Sequence, residues 1–123
     1  MAYLLTNSGR AILTNLLSGI GGTVPKYIGW GTGTSAAAAS DTGLQTPSAE
    51  ARTTGTVSRV TTSVTNDTVR VAGTITSLSS QTISEVGLFD AAAAGNIFIH
   101  GVFTGVLLGI GEGMAFQIDS QIA

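Results

Sequence analysis

The chain of 123 residues contains no cysteine, one histidine and few charged side chains, five of them basic and seven acidic. Without cysteine it has no disulfides, no thiol nucleophiles and no thiolate metal ligands. The basic residues are scattered and the formal net charge is −2, so the sequence indicates no basic surface for binding phosphates. We therefore expect no nucleic-acid partner and no cysteine-based site.

Long apolar segments are also missing. A membrane-spanning helix needs roughly 18 to 20 consecutive apolar residues. The most apolar stretch, residues 102–116, is interrupted by four glycines and Glu112, and Asn7, Arg10 and Asn15 interrupt the N-terminal region. We expect neither a secretory signal peptide nor insertion into a membrane.

Hydroxyl groups, by contrast, are abundant, since eighteen threonines and twelve serines accompany 43% hydrophobic residues. The mean hydropathy is +0.40. An apolar chain with so few charges is poorly protected against association, which favours a protein that works as part of an assembly. We expect one domain covering residues 1–123 that forms a homo-oligomer, with a two-fold dimer favoured.

A helix is predicted near the N-terminus, over about residues 8–18. Apolar side chains recur there at the helical period, at Ile12, Leu13, Leu16, Leu17 and Ile20. Thr6, Asn7 or Ser8 can cap the start of this helix. Gly19 or Gly21 can supply the left-handed residue that ends it.

Residues 31–48 are predicted to form a long loop of low complexity, with four consecutive alanines, 36–39, at its centre. Loops of this length are uncommon in a compact domain unless they bind something. A short helical turn around the alanines and an extended arm lying across a partner both remain open at this point.

The rest of the chain favours β-structure, because apolar and polar residues alternate with a period of two from Thr53 onward. A hairpin is predicted around a turn at Asn66 and Asp67, and Gly87 is predicted to mark a bulge. The predicted strands cover residues 26–30, 59–64, 69–75, 82–90, 96–103 and 113–122. Short strands separated by turns are typical of an antiparallel β-sandwich or jelly-roll-like domain, so the fold class is mainly β with one short N-terminal helix.

Two glycine-rich segments resemble nucleotide-binding loops only in their glycine spacing. Residues 31–36 lack a following βαβ unit, and residues 109–113 lack the lysine and hydroxyl that hold phosphate and Mg²⁺. The second segment is instead predicted to connect the last two strands. The apolar residues beside it either fold back onto the core or form a contact patch; they are Val106, Leu107, Leu108 and Ile110.

The single histidine, His100, is the one imidazole on which a catalytic triad could be built. Such a triad would need Ser84 or Ser120 as nucleophile and Asp90 or Asp119 to orient the ring. No sequence motif frames either serine as a nucleophile, so His100 is predicted to be a surface or packing residue.

The carboxylates match neither a zinc-site spacing nor a calcium loop. We expect no catalytic residue, no cofactor and no metal ligand. Glu85 is predicted to pair across strands with Arg59 or Arg70, and Asp90 is predicted to begin a turn.

Three segments resemble a recurring pattern in the virion proteins of tailed bacteriophages. They are residues 28–34 (Ile-Gly-Trp-Gly-Thr-Gly-Thr), 39–46 (Ala-Ser-Asp-Thr-Gly-Leu-Gln-Thr) and 82–90 (Thr-Ile-Ser-Glu-Val-Gly-Leu-Phe-Asp). A chain of this size, with no fibre or coiled-coil segment, most resembles a capsid cement (decoration) protein. The resemblance implies a jelly-roll-like fold, no catalytic residues and the major capsid protein as partner.

That resemblance also implies a location on the capsid exterior, after synthesis in the cytoplasm of the bacterial host. Two other functions stay open. One is a tail, baseplate or fibre-associated structural protein. The other is a glycan-binding β-sandwich that would use Trp30 as its aromatic platform.

The residues that we predict to contact partners lie in three segments. They are Leu13, Leu16 and Leu17 of the helix, Ala36, Ala37, Ala38 and Ala39 of the long loop, and Leu107, Leu108 and Ile110 near the last connection.

Overall fold

The computed structural model describes residues 2–122, in which eight strands form two antiparallel sheets and one helix packs beside them. In chain order the elements are β1 (Ala2–Leu5), α1 (Asn7–Ser18), β2 (Tyr27–Gly31), β3 (Thr53–Thr54), β4 (Thr56–Val60), β5 (Thr68–Thr76), β6 (Gln81–Phe89), β7 (Ile97–Leu108) and β8 (Gly113–Gln121). Sheet A has the order β1-β7-β6-β2-β3, and sheet B has the order β4-β5-β8. The predicted β-sandwich with one short helix is confirmed.

The core lies between the two sheets. Alternate residues of β2 and β6, including Trp30 and Leu88, face alternate residues of β5 and β8, including Val71 and Phe116. The rings of Trp30 and Phe116 meet edge to face, with their centroids 6.3 Å apart. Each such buried apolar side chain contributes about 1.5–3 kcal/mol relative to an exposed one, which makes this layer the main source of cohesion.

Helix α1 begins and ends where the local sequence predicts. The Thr6 hydroxyl accepts a hydrogen bond from the Gly9 N–H at 2.9 Å, and Gly19 adopts a left-handed conformation with φ of 70° at the C-cap. The Thr6 hydroxyl also donates to the Ile97 carbonyl at 2.7 Å, so the cap fastens the helix to β7. Because the helix ends at Ser18, Ile20 lies outside it.

The β4–β5 hairpin differs from its prediction. Strand β4 ends at Val60 and does not continue to Val64, which is exposed. The reason is Asp67, whose carboxylate accepts hydrogen bonds from the backbone N–H groups of Thr62, Ser63 and Val64. A side chain that satisfies backbone donors in this way competes with the sheet ladder and ends it.

The predicted bulge at Gly87 is also wrong. The register of β6 against β7 shifts between Ile83 and Glu85 and again between Leu88 and Phe89, whereas Gly87 pairs regularly with His100. Gly87 has a different role. A Cβ atom at this position would lie 2.9 Å from Leu44 of the long loop, so glycine permits the loop to approach the sheet.

The long loop folds back over the outer face of sheet A, the face turned away from sheet B. Its base is closed by hydrogen bonds from Thr32 N to Thr46 O at 2.9 Å and from Ser48 N to Trp30 O at 3.1 Å. It contains one turn, closed by Asp41 N and Ala38 O, and no helix. The helical turn considered from the sequence is therefore wrong, and contact of this loop with a partner stays a prediction. Within residues 2–122, no helix has the length and apolar character needed to cross a membrane.

The close approach of this loop predicts the effect of a methyl group at Gly31. An added Cβ would overlap the Thr46 carbonyl and lie 2.7 Å from the Glu85 carboxylate, so we expect Gly31→Ala to lower the free energy of unfolding by about 1–3 kcal/mol. Gly43→Ala is the matched control, because a Cβ there meets no atom within 4 Å. Denaturant unfolding of both variants checks this, and equal stabilities would contradict it.

Candidate functional site

Three ionisable side chains meet between the long loop and the outer face of sheet A. His100 Nε2 lies 2.8 Å from Glu85 Oε1, and His100 Nδ1 lies 2.6 Å from Asp41 Oδ2. The side chains of His100 and Glu85 are fully buried, while Asp41 keeps partial contact with solvent. We refer to Asp41, Glu85 and His100 as the ionic cluster.

Two neighbouring strands and the loop supply the members of the cluster. Glu85 lies on β6 and His100 on β7, and their partners across the ladder, Val102 and Gly87, make them diagonal neighbours on the outer face. Asp41 follows the turn of the loop, where its carboxylate also accepts from Ala38 N at 2.8 Å. The cluster therefore forms only when the loop is in place.

The Glu85 carboxylate is saturated with hydrogen bonds. Oε1 accepts from Gln45 N at 2.9 Å as well as from His100, and Oε2 accepts from Gly33 N at 2.9 Å and Thr46 N at 2.8 Å. A carboxylate has about four acceptor positions, and all of them are used here. One buried side chain thus holds both ends of the loop against the sheet.

The geometry also shows how the ring of His100 is used. An ionised carboxylate only accepts hydrogen bonds, so a ring nitrogen facing one must carry a proton. Both ring nitrogens of His100 face carboxylate oxygens, so the ring joins the loop carboxylate of Asp41 to the sheet carboxylate of Glu85.

The pKa values of both carboxyls are lowered in the cluster. Burial raises the pKa of Glu85, but the hydrogen bonds from Thr46, Gln45, His100 and Gly33 together hold it below the ordinary value. The Ala38 N–H lowers the pKa of Asp41, partial burial opposes that effect, and His100 lowers the pKa further. Both carboxyls are therefore ionised at neutral pH.

The predicted triad combinations are not assembled around His100. The Ser84 hydroxyl donates to the Gly33 carbonyl at 2.6 Å, and Ser120 lies on sheet B. Asp90 accepts from Asn96 N at 2.7 Å within the turn that it was predicted to begin. Asp119 pairs with Arg70 at 2.9 Å. Since both nitrogens of the buried ring are engaged, His100 has no free position that could face a substrate.

Two predictions about this region are therefore wrong. His100 is a member of a buried ionic cluster and not a surface or simple packing residue. Glu85 does not pair with Arg59 or Arg70, because both arginines lie on sheet B while Glu85 lies on the outer face of sheet A. Among residues 2–122, no group of three or more side chains has the arrangement needed to hold a metal ion.

Comparisons with known proteins identified no relative of this chain. The chain matches no family model, no curated protein and no solved structure. Its function must therefore be inferred from its own residues.

The contact residues predicted from the sequence divide into exposed and buried ones. Leu17 is 82% exposed, whereas Leu13 and Leu16 pack against the core. In the loop, Ala36 and Ala38 are exposed and Ala37 and Ala39 are half-buried. Near the last connection, Leu107 and Ile110 are exposed. Leu108 is 6% exposed and its prediction as a contact residue is wrong, because adjacent strand residues point to opposite faces.

Leu107 and Ile110 belong to a larger exposed set that the sequence did not reveal. The turn before β6 is joined to the turn before β8 by hydrogen bonds from Ser77 N to Glu112 O at 2.7 Å and from Gly111 N to Ser77 O at 2.9 Å. The side chains exposed there are Leu78 at 69%, Leu107 at 71% and Ile110 at 78%. We refer to Leu78, Leu107 and Ile110 as the apolar corner.

A second apolar surface lies at the opposite end of the sandwich. Here Val24 and Ile122 are exposed and line an apolar groove of about 200 Å³ between α1 and sheet B, and Leu17 and Ile20 are exposed at and just after the end of α1. The groove is lined in part by Leu13 and Leu16, which the sequence had marked as contact residues. We refer to Leu17, Ile20, Val24 and Ile122 as the helix end.

Trp30, the platform of the glycan-binding alternative, is not available for stacking on a sugar. It is 2% exposed in the core, and its indole N–H donates to Glu50 Oε1 at 2.8 Å. The prediction that used Trp30 in this way is wrong.

The saturated carboxylate of Glu85 predicts a large effect for its neutral isostere. In Glu85→Gln, an amide NH₂ would face backbone N–H donors and leave them unpaired, so we expect a loss of about 3–5 kcal/mol of stability. The control is Asp119→Asn, whose partly exposed ion pair with Arg70 contributes about 1 kcal/mol or less. Denaturant unfolding of both variants measures the difference. If both variants lost the same free energy of unfolding, the ionic cluster would contribute no more to stability than a partly exposed ion pair.

The lowered pKa values of Asp41 and Glu85 predict that acid weakens the fold. A carboxyl with a lower pKa in the folded state contributes stability above its unfolded pKa, and this is lost as the pH falls through the folded pKa. We expect the free energy of unfolding to fall between about pH 5 and about pH 2. The decrease should be smaller in the double variant Asp41→Asn/Glu85→Gln. An identical decrease in both proteins would assign the acid sensitivity to other groups.

Proposed function

We propose that this protein is a bacteriophage head decoration, or cement, protein that binds the outer surface of the major capsid protein lattice and stabilises the shell. The observation that carries the proposal is the apolar corner, where three large aliphatic side chains are more than two-thirds exposed, one at the end of β7 and two on turns that backbone hydrogen bonds tie together. Exposed apolar groups that are held in fixed positions mark a contact surface.

The distribution of exposed apolar surface suits a subunit that bridges neighbours. Strand β8 runs from the apolar corner, which precedes Gly113, to the helix end, which includes Ile122. Nine residues of strand span about 30 Å. A subunit with apolar contacts at both ends can touch two neighbouring molecules at once, as a protein that reinforces a lattice must.

The ionic cluster supports the proposed role in binding the shell because it orders the long loop. It fixes the long loop, so that Ala36 and Ala38 are presented on a preformed surface. A surface that is ordered before binding avoids most of the entropy cost of ordering it on contact. Repetition over a lattice then multiplies modest contacts into firm attachment.

We choose the major capsid protein as the partner because of a resemblance to tailed-phage virion proteins, which is carried by residues 28–34, 39–46 and 82–90. These segments contain the structural parts of the loop attachment: Gly31 and Gly33 at one end of the loop, Gln45 and Thr46 at the other, and Glu85 on the sheet. The motif thus contains the residues that attach the loop to the sheet.

The test is to add the purified protein to heads that lack it, taken from the phage whose genome encodes the chain. Cosedimentation measures binding, and the temperature at which the heads release DNA measures reinforcement. We expect the double variant Leu107→Ser/Ile110→Ser to bind about tenfold or more weakly per site, because it removes two large apolar contacts. Val64→Ser, at an exposed valine on the β4–β5 turn, is the control and should bind normally.

The outcomes separate the cement function from a tail function. Saturable binding spread over the whole shell, together with a higher release temperature, supports the proposal. Absence of binding to heads contradicts it. Immunogold labelling of complete virions at the tail or baseplate alone would assign the protein to the other virion function.

A further inference from the structure

Strand β8 is an unprotected edge of sheet B. Within residues 2–122, the backbone of Gly113–Gln121 forms hydrogen bonds only with β5, so its other side presents a row of free N–H and C=O groups. The strand is nine residues long and contains no proline, lysine or arginine. Its one charged residue, Asp119, is neutralised by Arg70 at 2.9 Å.

The other three sheet edges are protected in the ways that prevent pairing between molecules. Strand β3 has two residues and β1 has four, which leaves little backbone to pair. Strand β4 has five residues and carries Arg59. Short strands and basic side chains are the usual protection of natural sheet edges, and β8 has neither.

An apolar cleft opens beside the same edge. It has a volume of about 230 Å³ and lies between β8 and the inner face of sheet A, where Phe103 and Ile99 of β7 face Met114 and Phe116. The three strands of sheet B do not cover all five strands of sheet A, so β7 is left partly uncovered. A fourth strand added to the edge of β8 would close this cleft.

The geometry points to β8 of a second copy of this chain as that strand. Antiparallel pairing of β8 with its counterpart across a two-fold axis would join the two three-stranded sheets into one continuous sheet. The added strand must supply free backbone groups and apolar side chains on alternate residues. Strand β8 has both, because Phe116 and Ile118 face inward while Ala115 and Gln117 face outward.

In one register, every residue of β8 lies opposite a residue of β8 in the second copy. Full overlap places Gly113 opposite Gln121 of the second copy and puts the axis at Gln117. The inward residue Phe116 then lies opposite Ile118, and the outward residue Ala115 lies opposite Asp119, so the two faces stay in phase. This register also keeps the two Asp119 carboxylates apart, whereas a shift that placed them opposite one another would be destabilised by repulsion.

The same register brings exposed apolar residues from the two ends of β8 together. Ile110 lies three residues before Gly113, and Ile122 follows Gln121. Ile110 of each chain is therefore brought towards Ile122 of the second copy, and the approach occurs twice because of the two-fold axis. This apolar match favours a second copy over an unrelated strand, and it does not require Leu78 and Leu107, which the proposed function assigns to contact with the shell.

The first test is the mass of the free protein by sedimentation equilibrium, so its result is independent of binding to capsids. We expect twice the chain mass of 12.3 kDa. Gln117→Lys and Gln117→Glu place like charges on the axis, so each variant alone should lose the dimer, and an equal mixture of the two should regain it. Ser58→Lys, an exposed position on β4, is the control and should remain dimeric.

Crosslinking tests the register, since the chain has no cysteine of its own. Residues directly opposite in an antiparallel pair have Cα atoms about 4.5–5.5 Å apart, which is within the range that a disulfide spans. We expect Gln117→Cys to form a disulfide-linked dimer under mild oxidation and Ser58→Cys to form none. A protein that stays monomeric at high concentration, or a dimer that Gln117→Cys does not crosslink, would overturn the proposal.

Discussion

The buried carboxylate of Glu85 is the contact on which the outer face of sheet A depends. It accepts four hydrogen bonds, three from the backbone of the long loop and one from His100. A buried charge without such partners would cost several kcal/mol, so Glu85 is tolerated only when the loop is closed over it. The loop in turn can approach because residues 31 and 33 have no side chain. Loop and sheet therefore stabilise each other, and neither reaches its final form alone.

The parts of the fold that local sequence determines are those that could be predicted. The bounds of α1 are within one residue of the prediction, because its cap at Thr6 and its stop at Gly19 act through neighbouring backbone groups. The β-sandwich could be predicted because apolar residues alternate along the strands, and this alternation indicates which face of each strand is buried. The error in β4 has a local cause as well: Asp67 satisfies backbone donors that the alternating pattern had assigned to a strand.

The ionic cluster could not be predicted, because its members are far apart in the sequence. His100 is 59 residues from Asp41 and 15 from Glu85, and no spacing rule connects such positions. One signal was present in the sequence. Glu85 stands in a strand whose other residues from Ile83 to Phe89 are uncharged, and a charge in a fully buried strand requires a buried partner. The apolar corner was not predicted for a similar reason. Leu78 lies beside Leu107 and Ile110 only because hydrogen bonds join turns that are distant in the sequence.

The acidic side chains of this chain all have structural roles within the fold. Every acidic side chain accepts a hydrogen bond from the chain itself, namely Asp41, Glu50, Asp67, Glu85, Asp90, Glu112 and Asp119. Charges that hold loops and turns are drawn into local networks and do little to keep molecules apart. The residues of the apolar corner and the helix end are uncharged, and the charged residues beside them are bound within the chain, Glu112 to Gly109 N and Asp119 of β8 to Arg70. The acidic side chains thus fasten loops and turns, while apolar residues remain exposed at both ends of the sandwich.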